Sequence, residues 1–186
     1  ELRTSVTVIF GMFICLLVFM LGMNCYILCQ NIKTENSEDT KFGYMYTLKY
    51  PEKEVPENAE ACYTESLSKK YMGNTLDVNI IGVDDENKYY PEISVKGKSS
   101  IAVSSSVAEK YNLSEGDKLI LSDTANDMDY AFTVVEIVDY SVGLSVFMDI
   151  ESMRELFLKE DDYYNMLLSE EELDIDMGRV YSVTTK

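Results

Sequence analysis

Val6-Thr7-Val8-Ile9-Phe10-Gly11-Met12-Phe13-Ile14-Cys15-Leu16-Leu17-Val18-Phe19-Met20-Leu21-Gly22-Met23-Asn24-Cys25-Tyr26-Ile27-Leu28 decides how this chain is organised. No charged side chain interrupts the sequence between Arg3 and Lys33. As a helix these 23 residues would reach roughly 35 Å, enough to cross a hydrocarbon layer of about 30 Å with some tilt. Thirteen of them are Leu, Ile, Val or Phe. At roughly −0.3 to −0.6 kcal/mol each they favour insertion by about 4–8 kcal/mol. Only a helix or a closed barrel satisfies its backbone inside lipid, so the segment reads as a transmembrane helix.

Two other readings fit less well. The run is longer than the 7–15 residues of a typical secretory-signal core, and Met23-Asn24-Cys25-Tyr26 offers no small-x-small cleavage site. Leu21-Gly22-Met23-Asn24-Cys25 faintly resembles a lipoprotein box, but Asn24 stands where a small residue is needed. The opening on Glu1 rather than Met suggests a piece of something longer. Arg3 and Lys33 on either side leave the orientation undecided by charge. The expected domains are residues 1–33, a membrane helix with short flanks, and residues 34–186, a water-facing domain.

Residues 34–186 hold 14 of the 16 basic and 32 of the 33 acidic side chains, a net charge of −18. Such a surface repels phosphate backbones, which argues against nucleic acid as a partner. It also disfavours close docking on anionic headgroups. Some 150 residues suffice for one domain with its own core. The chain has no His, so the usual general base, most zinc sites and every Ser-His or Cys-His pairing are missing. Cys62 is alone in the water-facing part, where no internal disulfide can form. Cys15, Cys25 and Cys29 lie in or beside the membrane segment, and all four cysteines read as packing residues.

Residues 33–41 form a polar connector. Strands are expected at 42–50, stopped by Pro51, at 61–67 and at 76–83, with a loop at 52–58 and a polar turn at 84–87. Tyr89-Tyr90-Pro91 suits a turn or a sheet edge, because Pro lacks a donor. A short strand at 101–103 leads into Ser104-Ser105-Ser106, which supply helix caps. Ser106 and Glu109 have the spacing of a capping box. A helix over 107–111 would end at Asn112 in the left-handed conformation, with Leu113 turned inward. Glu115-Gly116-Asp117 turns the chain into strands at 118–122 and 130–140 around a hairpin loop, 123–129. A strand at 145–148 ends at Asp149, an N-cap for a helix over 150–158 whose buried side carries Met153, Leu156 and Phe157. A short strand at 166–168, a short helix capped by Ser169 and Glu172, and a last strand at 179–184 complete the reading. The fold class is α+β: one transmembrane helix, then a mixed or antiparallel sheet domain with short capped helices.

Candidate chemistry is sparse. Gly97-Lys98-Ser99 lacks the phosphate loop's earlier glycine, whose place is taken by Glu92. Asp123, Asn126, Asp127 and Asp129 lack the ligand spacing, central Gly and terminal Glu of a calcium loop, and read as a solvated hairpin tip. Asp161-Asp162 and Glu170-Glu171-Glu172 read as exposed faces or helix starts. Most of the 14 tyrosines suit half-buried strands, and some could supply a protein-contact surface. Expected catalytic residues, metal ligands and cofactors are therefore none.

The order of these elements carries a resemblance. Ile101 to Leu119 (IAVSSSVAEKYNLSEGDKL) is similar to the Ile-Ser-x-x-Leu-Ala-x-x-Leu-x-Leu-x-x-Gly-Asp stretch of FtsX-like (MacB-type) ABC transporter permeases. Val103 and Val107 stand where that family often has Ile and Leu. Phe132 to Tyr140 resembles the strand that follows there, Val146-Phe147-Met148-Asp149 the next strand and helix start, and Leu2-Arg3-Thr4 the lead-in to a membrane span. The resemblance is firm over 101–149, suggestive at the N-terminus and thin over 42–90.

The resemblance implies one span plus an extracytoplasmic domain in a cell membrane. It also implies a cytosolic ABC ATPase subunit as partner, with a second permease protomer or half, and no ATP-binding residue in this chain. ATP hydrolysis elsewhere would move the outer domain to export or extract a peptide, lipoprotein or lipid. The residues carrying the motif are Ser104, Ala108, Leu113, Gly116 and Asp117, with structural roles. Gly11 and Cys15 form a small-x-x-x-small pair that could admit a neighbouring helix. The alternative is a single-pass sensor whose acidic ectodomain binds a ligand. A membrane-anchored hydrolase is a third reading, disfavoured by the missing His and nucleophile motif.

Overall fold

The computed structural model describes residues 2–50 and 54–186. Pro51 and residues 52–53 of the expected loop lie outside the described residues. The chain divides into two compact units, Glu1–Ser37 and Glu38–Lys186.

Helix α1 (Leu2–Asp39) runs unbroken for 38 residues. Its most apolar window has a mean hydropathy of 2.7 and no buried residue, so α1 is long and apolar enough to cross a membrane. The connector expected at 33–41 is instead helical as far as Asp39. Nucleation is the costly step of helix formation, and a helix already formed extends at small cost through Lys33, Glu35 and Glu38. Thr34 assists by donating its hydroxyl to Gln30 O at 3.0 Å.

The second unit is α+β. Its strands are β1 (Tyr44–Leu48), β2 (Glu60–Tyr71), β3 (Asn74–Val83), β4 (Ser100–Ser104), β5 (Lys118–Asp123), β6 (Met128–Val138), β7 (Ser145–Asp149), β8 (Met166–Ser169) and β9 (Val180–Thr185). Helix α2 (Ser105–Tyr111) lies between β4 and β5, and α3 (Ile150–Leu156) follows β7. β2 and β3 pair antiparallel from Tyr63↔Gly82 to Tyr71↔Asn74. Their two-residue turn, Met72-Gly73, has positive φ at both positions (48° and 83°), the backbone twist that hairpins favour.

Six strands close on themselves. β3 pairs parallel with β7, β7 antiparallel with β4, β4 parallel with β6 and β6 antiparallel with β5. β5 returns to β2 through Ser68↔Ser122. The ring encloses a core that includes Tyr63, Leu67, Ile80, Ile101, Leu119 and Phe132. Val107 and Ala108 of α2 and Ile150 and Met153 of α3 join that core, with Leu113, Leu156 and Phe157 packed against it.

β2 also belongs to a second sheet. Its first residues pair with β8 (Glu60↔Leu168 to Cys62↔Met166), β8 pairs with β1, and β1 with β9, all antiparallel. Tyr46, Leu48, Tyr164, Leu167 and Val180 make a small core there. Tyr89 and Tyr90, expected at a turn or edge, sit in an irregular segment and are buried with Val95, Ala102, Tyr140 and Phe147.

Two expected caps are corrected. Ser104, not Ser106, is the N-cap of α2: its Oγ accepts from Val107 N at 3.3 Å. β4 hands directly to the helix at Ser104, so Ser106 already lies inside the first turn. The helix expected after Ser169 is absent from the described residues: Ser169 ends β8, fully buried, and donates to Glu171 O at 2.6 Å. Sheet pairing, Tyr44↔Ser169 with Gly43 N donating to Ser169 O at 2.9 Å, outweighs the local cap signal.

Candidate functional site

The residues around the end of α1 converge from distant parts of the sequence. Asp39, the last residue of α1, lies in the second unit. Its Oδ2 accepts from Ser141 N and Ser141 Oγ, 2.6 Å each. Just beyond it, Thr40 O accepts from Lys186 Nζ at 2.6 Å and Gly43 O from Lys186 N at 3.0 Å. The β1–β9 register, Tyr44↔Thr185, continues the same contact. The segment that leaves α1 and the last strand therefore lie side by side.

The other face of the loop 139–144 meets α2. Ser105 Oγ donates to Tyr140 O at 3.0 Å and accepts from Tyr140 N at 3.3 Å, and Ser106 Oγ donates to Ser141 O at 3.2 Å. The Tyr140 ring is buried edge-on against Phe147, centroids 5.2 Å apart. Burial, with Asp39 nearby as a lesser influence, pushes its phenol up to about 12.

The motif residues fall along one connection. Ser104 caps α2; Ala108 O accepts from Leu113 N at 2.9 Å; Asn112, at φ 51°, ends the helix in the left-handed region. Gly116, at φ 91°, donates to Val134 O at 2.7 Å. The Asp117 side chain accepts from Ser114 N at 2.8 Å, and its carbonyl from Val134 N at 2.9 Å. These bonds close the turn into β5 and lock it to β6. Gly11 and Cys15 are exposed on α1, with open space around Gly11 where a Cβ would stand. Cys25 and Cys29 are likewise exposed, whereas Cys62 is buried and its thiol is pushed far up, chiefly by burial.

A cleft of about 700 Å³ opens elsewhere on the second unit. Glu57, Glu60, Asp84, Glu86, Glu170 and Glu171 line it, against Arg154 and Lys88. Glu60 accepts from Lys88 N at 3.1 Å. Its carboxyl lies above the ordinary range, burial outweighing the lowering by Lys88. The lining favours cations electrostatically.

The remaining candidates have local structural partners. Asp123 accepts from Ala125 N, Asn126 N and Asn126 Nδ2 at the hairpin tip, bonds that hold its carboxyl below the ordinary range. Lys98 pairs with exposed Glu155 at 3.0 Å. Among the described residues no three His, Cys, Asp or Glu side chains gather to hold a metal ion. Sequence reasoning missed Asp39, Ser141 and Lys186, whose partners lie 102 and 146 positions away.

No family model and no curated protein matches the chain. Among solved structures, it is similar to the extracellular domain of the noncanonic ABC-type transporter YknZ from Gram-positive bacteria. Identity is 14%, over 72% of this chain and 86% of that one, with a TM-score of 0.43.

Proposed function

We propose that this chain is part of an ABC transporter permease. In this reading α1 crosses the cell membrane and residues 38–186 form an extracytoplasmic head. A separate cytosolic ATPase hydrolyses ATP and, with a second permease protomer or half, moves the head to export or extract a peptide, lipoprotein or lipid. The head makes no bonds itself and biases two arrangements of the assembly.

The observation that carries this reading is the root of the head. Lys186 bonds to Thr40 and Gly43 immediately after α1, so a chain continuing past Lys186 would leave the head where it came in. A domain inserted between two membrane spans needs both legs at one place; a terminal receptor domain does not. The sequence resemblance adds support, because its firm part, 101–149, covers one continuous run from β4 to the N-cap of α3.

The test uses the full-length protein in cells, with its native cysteines replaced and Lys110→Cys introduced at an exposed position of α2. The expected result is labelling by a membrane-impermeant thiol reagent in intact cells, together with co-purification of an ATP-hydrolysing subunit. Labelling only after lysis, or no such subunit, overturns the reading. The acidic cleft favours the second reading, a single-pass receptor for a cationic ligand. A full-length protein with no further membrane crossing would decide for that receptor.

A further inference from the structure

We propose that Asp39 is a pin joining the end of α1 to α2 through the loop 139–144, so that loosening the pin loosens the first turn of α2. The pin stands on its geometry alone; its use as a relay of ATPase-driven movement rests on the permease reading above.

The loop joins β6 to β7, and at its far end Leu144 O accepts from Asn79 N of β3 at 2.9 Å. Its central polar groups are satisfied by side chains from elsewhere. Ser141 N bonds Asp39, Tyr140 N and O bond Ser105, and Ser141 O bonds Ser106. One Asp39 oxygen takes both the amide and the hydroxyl of Ser141 at 2.6 Å, the short distance of a charge-assisted bond, about twice as strong as a neutral one. Ser105 and Ser106 occupy the first turn of α2, where the N-cap has already taken Val107 N.

Their hydroxyls are therefore committed to the loop and not to capping. Three consecutive serines divide the work: Ser104 starts the helix, while Ser105 and Ser106 tie it to a segment whose other side is held by a carboxylate. A shift of Asp39 either drags Ser141, and with it the carbonyl that Ser106 holds, or breaks the two Asp39–Ser141 bonds. Half-buried polar groups linked in this way respond together, because each unmet partner is penalised.

The test is amide hydrogen exchange on the full chain in lipid nanodiscs, with no ATPase present. In Asp39→Ala, exchange should quicken at least about ten-fold in peptides covering 139–144 and 105–111, the size expected for losing charge-assisted bonds that gate local opening. Ser106→Ala should quicken the same two peptides, while those covering β5 and β6 stay as in the parent. Asp39→Asn, which keeps the shape and loses the charge, carries the same test should alanine cost the fold.

Unchanged exchange at 139–144 in a folded Asp39 variant overturns the pin. Quickening confined to 139–144, with 105–111 unaffected, overturns the link to α2. Because the readout needs no partner, a negative result leaves the permease reading standing. Absence of an ATPase partner would remove the relay's purpose and not the pin.

Discussion

Phe13 and Leu17 of α1 are 57% and 46% exposed, whereas Phe132 and Leu119 of the strand ring are 1% and 0% exposed. The same side chains meet opposite fates because the sequence spaces them differently. In β5 and β6 buried and exposed positions alternate, so one face can close on the core while the other meets water. Along residues 6–28 apolar groups surround the helix, leaving no face for water. A helix apolar all round must find its solvent in a protein core or a bilayer. The head carries its own apolar interior; α1 requires one from outside.

The largest expected effect tests that division directly. Phe132→Ala should destabilise the head by about 3–5 kcal/mol, the transfer loss plus a cavity the ring cannot collapse. Phe13→Ala, removing the same atoms from α1, should leave the head's urea midpoint unchanged. Equal losses in the two variants would break the comparison.

Gly43→Ala should come next. A Cβ there would run into the Glu170 carbonyl, which is backbone and cannot swing aside. The β1–β8 pairing has to shift, with a loss of about 2–3 kcal/mol. Gly11→Ala, where a Cβ meets nothing, should leave the head unmoved. Thermal unfolding of both variants in nanodiscs checks the contrast.

The elements legible in the sequence were those with a local cause. Alternation marked β3; Asn112 and Gly116 occupy the positive-φ positions their chemistry suits; Asp149 caps α3. Ring closure left no such mark, since Ser68 meets Ser122 and β3 lies beside β7 by pairings between distant segments. The buried pair Tyr89 and Tyr90 followed the same logic: a segment with turn chemistry was recruited to cover a sheet face. The extension of α1 to Asp39 was hidden by composition, because polar residues signal an exit from lipid and not an end of helix. Of the candidate site, the motif turn was readable locally. The root was not, because Asp39 and Ser141 lie 102 positions apart and Thr40 and Lys186 146, with no local pattern to link them.

The smallest effect concerns pH, and it too separates the two regions. Residues 4–32 contain no Asp, Glu, Lys or Arg, so acid should not touch the stability of that stretch through a carboxylate. In the head, Asp149 Oδ1 accepts from Lys96 Nζ at 2.7 Å, and Oδ2 from Ser152 N at 3.0 Å and Oγ at 2.7 Å. Burial alone would raise the Asp149 carboxyl, but Lys96 and Ser152 outweigh it and hold the group below its ordinary value. A carboxylate depressed in the folded state binds fewer protons there than in the unfolded chain. Its stabilisation is then complete above the unfolded value of about 4 and disappears as pH falls through the lower folded value. Asp149→Ala, which also removes a helix cap, should lose about 1–2 kcal/mol at pH 7. The gap between parent and variant should narrow as pH drops below about 4, which urea unfolding of the pair at pH 7 and pH 3 measures. A gap that held constant would mean that packing, and not the charge, gives Asp149 its worth.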